Sequence, residues 1–250
     1  MKEISSRTSD SVKTIVSLHS PKGRQQHEQF IAQGLRVIQT LLAGGYQLVQ
    51  LYATYEQLVV AHGLCPASKI TKVSPPVMDK ISSATNPSGL LAVFAIPAAP
   101  SPRTLNSGIV LAQVQDPGNV GALIRTAAAM KVHSVVLVES VDPFNPKVVQ
   151  ASAGTIAQVA LFRMSWTELM NAKRDMRVCA LVVQGGTPLE SLKAHKSLLV
   201  VGNEAHGLPA EWIAKCDEQI TLSMPGNVES LNAAIAGSIA LYTAWHAKLL

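Results

Sequence analysis

Six polar side chains sit in three short, glycine-bearing segments of this 250-residue chain. Asn119 and Arg125 lie in DPGNVGALIRTAAA (116–129), Asn203 and Glu204 in VVGNEAHGLP (200–209), and Ser230 and Asn232 in SMPGNVESLNAAIAGSIALY (223–242). Each segment follows a β-branched apolar run. Glycine lets a backbone approach a ligand closely, and polar groups have no packing reason to recur in such loops. The three segments therefore read as one composite site. Common chemistries each lack a part there. Gly118-Asn119-Val120-Gly121 does not have the Gly-x-Gly-x-x-Gly spacing of a dinucleotide site, and Gly185-Gly186 is a weaker candidate still. The chain has no P-loop Gly-Lys-Ser/Thr and no Gly-x-Ser-x-Gly elbow around Ser230, and Glu204 is the one acid central to a motif. Cys65, Cys179, Cys216 and the histidines are scattered without ligand spacing, so neither metal nor disulfide is expected. His206 reads as a turn residue as readily as a chemical one. An arginine, several amides, one acid and close backbone suit the alignment of two ready-made reactants. Methyl transfer from a sulfonium donor asks for little more than that.

The elements that must hold these loops alternate. The second half predicts strands at 108–114, 134–140, 158–164, 177–184, 197–203 and 218–224. Between and after them it predicts helices to Met130, through Ala151, at 166–175, at 209–216 and over 229–250. Strands that are apolar throughout and separated by helices argue a mainly parallel sheet covered on both faces. Ligand sites in such sheets gather at the carboxyl ends of strands, where the three motifs lie. The first half predicts helices at 12–20, 27–45, 55–63 and 75–84, with strands at 46–53, 68–74 and 89–96. PAAPSPRTLNSG between the halves reads as a linker by composition. The expected domains are thus 1–98 and 108–250, joined by 99–107.

Composition adds a second hint. The chain is 48% hydrophobic with a formal net charge of +5. Residues 1–103 hold ten Lys/Arg against five Asp/Glu, and residues 104–250 hold eleven of each. A basic module joined to a neutral one suggests a part that holds a polyanion and a part that does something else. No apolar run is long enough to span a membrane, and the first twenty residues resemble neither a secretory signal nor a presequence. A cytoplasmic protein is expected.

Together the motifs resemble the SpoU/TrmH family of RNA ribose 2′-O-methyltransferases, within the SPOUT superfamily. Asn119 to Arg125 with Gly121 between them matches the first family motif. Gly202-Asn203-Glu204 with Gly207 matches the second, and Ser230-Leu231-Asn232 after Met224 and Gly226 the third. The front half is similar to the α/β, ribosomal-protein-like substrate-binding domain of many members. Its matching residues are Lys22-Gly23-Arg24, Phe30 to Gly34, and Asn86-Pro87-Ser88-Gly89 with the apolar residues that follow. The resemblance implies an α/β chain whose carboxyl-terminal SPOUT domain carries a trefoil knot, with S-adenosyl-L-methionine held by the knot loops. It also implies a homodimer and an RNA substrate, ribosomal RNA ahead of transfer RNA. Gly202, Leu222 and Leu231 would contact the donor, with Asn203, Gly207 and Met224 in the same loops. Asn119, Arg125, Glu204, Ser230 and Asn232 would form the acceptor side. The sequence departs from the family in Leu222-Ser223-Met224, where Ile-Pro-Met is usual. It departs again in Gln33-Gly34, where an acid precedes the glycine, and in Ser152-Ala153-Gly154. A non-catalytic RNA-binding or ribosome-assembly factor is the alternative from another class.

Several of these residues also have plainer readings. Asn119 could cap a helix beginning near Val120, and Ser230 could cap the last helix with Asn232 in its first turn. Glu204 could pair with a cation, or orient Arg125 or its own loop. Arg125 lies in an apolar helix where a solvated face is poorly supported. It could hold phosphate and polarise the ribose hydroxyl, or accept its proton. Leu222, Met224 and Leu231 are core residues by default. Lys22, Arg24 and Arg36 are ordinary surface charges by default, and RNA contacts as a second reading.

Overall fold

A computed structural model describes residues 2–192, 194–226 and 229–246, the side chains of 194 and 246 excepted. The chain forms two compact units, one of residues 1–98 with 142–157, the other of 99–141 with 158–250. The first unit begins with β1 (Lys2–Ile4), α1 (Asp10–Ser17), α2 (Pro21–His27), β2 (Gln29–Gln33) and α3 (Leu35–Ala43). It continues through β3 (Leu48–Ala53), α4 (Leu58–Leu64), β4 (Ile70–Val73), α5 (Pro75–Ile81) and β5 (Leu90–Ala95). Its sheet has the order β1-β4-β3-β5-β2, with β5 antiparallel to both β2 and β3.

The predicted helix over 27–45 is corrected here. Phe30, Ile31 and Ala32 are buried in β2 and pair with Phe94, Val93 and Ala92 of β5. Gly34 then turns the chain at φ +81°, in the left-handed region that favours glycine, and only after it does α3 begin. The apolar residues on both sides of Gly34 fit a helical spacing, but those before it are consecutive because β2 is covered on both faces.

The second unit opens with β6 (Gly108–Ala112), α6 (Pro117–Ala129) and β7 (Ser134–Val138). The chain then supplies α7 (Pro146–Ala151) to the first unit. It returns as β8 (Ala160–Arg163), α8 (Trp166–Ala172), β9 (Arg177–Val182), β10 (Thr187–Pro188), β11 (Ser197–Val201), α9 (Ala210–Ile213), β12 (Glu218–Thr221) and α10 (Ala233–His246). The last four residues of the helix expected over 229–250 lie outside the described residues. Every strand pairing of this sheet is parallel, in the order β10-β12-β9-β11-β6-β7-β8. All five residues of β6, β7 and β11 are buried, as strands covered on both faces require.

Residues 99–107, expected as a linker, are part of this second unit. Pro102–Thr104 form a helical turn, Leu105 is buried in the core, and the Arg174 guanidinium donates to its carbonyl at 2.8 Å. Proline-rich composition reports stiffness, and a stiff segment can lie on a core as readily as bridge two.

Arg24 is a further correction. It is 1% exposed rather than a surface charge. Its Nε donates to Asp142 at 2.7 Å and its Nη1 to the carbonyls of Leu18 and His19. Gly23 beside it is needed for close packing, since a Cβ there would fall on the Ser17 carbonyl. The Gly23-Arg24 part of the signature is therefore a folding device that ties the 142–157 segment into the first unit. Arg24→Met should destabilise the fold by roughly 3 kcal/mol, the scale for breaking a buried ion pair. Lys22→Ala, at an exposed position, should stay within about 0.5 kcal/mol. Urea unfolding monitored by circular dichroism compares the two.

Candidate active site

Strand order reverses between β6 and β11, which places the loops after them side by side at the carboxyl edge of the sheet. The loop after β6 carries the first motif and the loop after β11 the second. At the end of β6, Gln113 has φ +58°, a conformation uncommon outside glycine. Asn203 Nδ2 donates to the Gln113 carbonyl at 2.8 Å and so braces this turn. The Asn203 Oδ1 accepts from the amides of Ala205 and His206, and its backbone pairs with Gly207 in both directions.

The expected caps are each displaced by a few residues. Asp116, not Asn119, caps α6: its Oδ1 accepts from the Asn119 amide at 2.8 Å, with Pro117 at the first helical position. Asn232, not Ser230, caps α10, its Oδ1 accepting from Ala234 at 2.9 Å and Ile235 at 3.2 Å. These shifts free the Asn119 side chain to face the other two motifs. Asn232 Nδ2 donates to Asn119 Oδ1 at 3.1 Å, and Asn119 Nδ2 donates to Glu204 Oε1 at 3.0 Å. Glu204 also accepts from the amides of Asp116 at 3.1 Å and Gln115 at 3.3 Å.

The direction of this relay is set by its ends. Backbone donors at the start of α10 require the Asn232 oxygen, so its NH2 must point to Asn119. A carboxylate accepts only, so the Asn119 NH2 must point to Glu204. One residue from each motif is thus fixed to the next. Partial burial pushes the Glu204 carboxyl up, but hydrogen bonds from Asn119 and from the backbone of Glu204, Asp116 and Gln115 outweigh it and hold it below its ordinary 4.5. The ionised form and its clasp therefore persist through mildly acid pH and are lost only as pH falls below that range. Glu204 orients loops; no ion pair joins it to Arg125 among the described residues.

Beside the relay is a cleft of about 340 Å³. Gly202, Asn203, Gly207, Leu222, Met224 and Leu231, all expected around a donor, line it, and so do Glu204 and Ser230. Asn119, Asn232 and Arg125 do not. Sequence reasoning missed the end of β9, where Leu181, Val182 and Val183 close one wall, and Ala233 and Ala236 of α10. No motif marks the β9 residues, which only the neighbouring position of β9 and β11 brings in, whereas the two alanines lie inside the third segment just past Asn232. A Cβ on Gly202 would lie 2.6–2.8 Å from backbone atoms of Gly207 and Leu208, so the loop folds this tightly only around glycine.

Arg125 is exposed, contrary to the expectation from its apolar neighbours. The buried stripe of α6 is Val120, Gly121, Leu123, Ile124 and Ala127, and residue 125 falls on the opposite side. It has no hydrogen bond or ion pair among the described residues. Lys22 and Arg36 are exposed in the first unit, as expected. None of the described residues forms a His/Cys/Asp/Glu cluster able to hold a metal.

A parallel α/β sheet with three glycine-bearing loops joined at its carboxyl edge defines a ligand-binding α/β architecture. Residues 106–242 match the SpoU rRNA methylase family, and the chain belongs to that family. Residues 9–92 match the MRM3-like substrate binding domain. An uncharacterized tRNA/rRNA methyltransferase of Synechocystis sp. (slr1673) is 29% identical, the match covering 96% of this chain and 92% of that protein. The 23S rRNA (guanosine(2553)-2′-O)-methyltransferase RlmP of Bacillus subtilis is 27% identical over 97% of this chain and 98% of its own length. The AdoMet-bound rRNA methyltransferase of Sinorhizobium meliloti superposes with a TM-score of 0.88 at 27% identity, over 100% of this chain and 98% of that one.

Proposed function

We propose that this chain methylates a ribose 2′-hydroxyl of ribosomal RNA using S-adenosyl-L-methionine. The observation that carries the reading is the relay Glu204–Asn119–Asn232, which joins all three motifs at the rim of the cleft. The cleft fits the donor chemically. Leu181, Leu222, Met224 and Leu231 offer an apolar slot for an adenine, and the tight 202–207 loop offers backbone groups at close range. Bound S-adenosyl-L-methionine supplies an electrophilic methyl group on a sulfonium, so the protein's work is alignment. In this reading the relay fixes the acceptor side against the donor slot, and Ser230 lies exposed at the lining where the two meet. Arg125 offers five donors in a planar fork to phosphate and sugar oxygens and positions the reacting hydroxyl.

A homodimer belongs to the same reading. Ile235, Ile239 and Tyr242 form an exposed stripe on α10, 42–53% accessible, at a spacing that puts them on one face. α10 packs on α6, the helix that bears Arg125, through Gly237 against Leu123 and a Thr126–Ser238 contact at 3.0 Å. A second copy covering this stripe would bury it and bring Arg125 next to an interface. The trefoil knot and a cytoplasmic location complete the proposal; no described helix is long and apolar enough to cross a membrane.

Radiolabelled donor should transfer methyl to ribosomal RNA from a strain lacking the gene, at a ribose 2′-oxygen found by alkaline-resistant linkage mapping. The same preparation should sediment as a dimer. Donor binding without incorporation would favour the non-catalytic assembly factor, and no donor binding would end the methyltransferase reading.

A further inference from the structure

Two stretches of the first unit that the catalytic relay does not use, Gln33-Gly34 and Asn86 to Gly89, converge on a second concavity. It has a volume of about 450 Å³, within the range of single small-ligand sites. α7 forms its other wall, its leading segment held on β2 by Phe144 against Phe30 with ring centres 5.1 Å apart and on α2 by the Arg24–Asp142 pair. The groove therefore exists only because the chain leaves the second unit after β7 and supplies α7 here before β8.

Its lining sets polar groups against apolar surface from Ile31, Ala84, Pro146 and Ala151, and is free of acid. Asn86, Ser88, Lys147 and Gln150 line it, are exposed, and have no side-chain hydrogen bond or ion pair among the described residues. No carboxylate lines it. Gln33 is held differently: its Oε1 accepts from Ser82 at 2.8 Å and its Nε2 donates to Ser83 at 2.9 Å, which fixes the floor. Gly34 turns the chain at φ +81° within the lining, and Gly89, next to Ser88, turns it at φ +78° where a Cβ would strike Thr54. One cation beside amides and a hydroxyl, in a pocket too small for a duplex, matches a phosphate with a base or sugar edge attached.

We propose that this groove receives one unpaired nucleotide of the RNA substrate, with Lys147 on its phosphate and Asn86, Ser88 and Gln150 on its base and ribose. The proposal rests on the RNA-methyltransferase reading above and adds a second point of grip on the same RNA. The probe is unmethylated ribosomal RNA transcribed in vitro with 4-thiouridine, bound to the full-length protein. Photo-cross-linking is expected to label peptides containing 83–88 and 146–151. Lys147→Glu should weaken binding about tenfold and reduce the salt slope by about one, as for loss of one phosphate contact. Lys13→Glu makes the same charge change on α1 and should weaken binding less than threefold. Affinity for S-adenosylhomocysteine should be unchanged in both variants. Equal losses in the two variants, cross-links that avoid both peptides, or no ribosomal RNA binding by the wild type would each overturn the groove. If the wild type binds RNA but not S-adenosylhomocysteine, the methyltransferase reading fails while the cross-links still decide the groove.

Discussion

Asn119→Ala is expected to lower the rate of methyl transfer by about 100-fold, the cost of a small misplacement of reacting groups. Asn119 is the middle of the relay, so its loss separates Glu204 from Asn232 and lets the second and third motifs move independently. The cleft lining does not include Asn119, so affinity for S-adenosylhomocysteine should change less than about threefold. The α6 cap is made by Asp116 and survives, so the melting temperature should fall by only a few degrees. Because the three side chains act as one unit, Asn232→Ala added to Asn119→Ala should cost far less than it does alone. Single-turnover kinetics with saturating donor read all of this. Full additivity of the two losses would show that no relay operates. Arg125→Ala offers a contrast: an exposed residue with no described partner, whose loss should abolish transfer while leaving stability unchanged.

Gly202→Ala is expected to be the more damaging of the two single methyls that can be added to the glycines lining the cleft. Its Cβ would sit 2.6 Å from the Gly207 carbonyl carbon and 2.7 Å from the Leu208 nitrogen, and both are backbone atoms held by the Asn203–Gly207 pairing. The loop can admit the methyl only by opening that pairing, at a cost of about 1–3 kcal/mol as in other overpacked sites. Opening it also releases the cleft wall and the Asn203 brace on Gln113, so donor affinity should fall at least tenfold. Gly207→Ala tests the logic from the other side. Gly207 has φ +65° but nothing within 4 Å of its missing Cβ, so the cost is conformational only, about 1 kcal/mol. Calorimetric titration with S-adenosylhomocysteine and thermal melts should rank Gly202→Ala well below Gly207→Ala. The reverse order would mean that the loop is not built as described.

The sheet of the second unit and the place of its ligand loops were legible in the sequence. β6, β7 and β11 are buried at every position and apolar but for the leading Ser134 and Ser197, because both faces are covered, and that pattern cannot be mistaken for a half-exposed strand. The first unit was harder. β2 and α3 merge into one apolar stretch, and the break rests on a single glycine. Helix starts were misplaced because Asp116, Asn119, Ser230 and Asn232 are all competent caps, and propensity does not choose among them. The choice matters: Asn119 is spared the cap and reaches Glu204, while Asn232 caps with its oxygen and still reaches Asn119 through its NH2.

Glycines, apolar runs and a handful of polar residues, all local in the chain, determined that there are three loops at strand ends and which residue types they offer. Which of those groups touch was decided by tertiary structure alone. Asn119 meets Glu204 85 residues and Asn232 113 residues away, and Arg24 is buried against an acid 118 residues on. Local pattern encodes how the apolar residues divide between core and water, whereas partner choice and the burial of a charge depend on strand order and on where α7 is sent. An arginine beside a glycine looks the same in the sequence whether it ends in solvent or under a helix; only the fold supplies the aspartate that permits its burial.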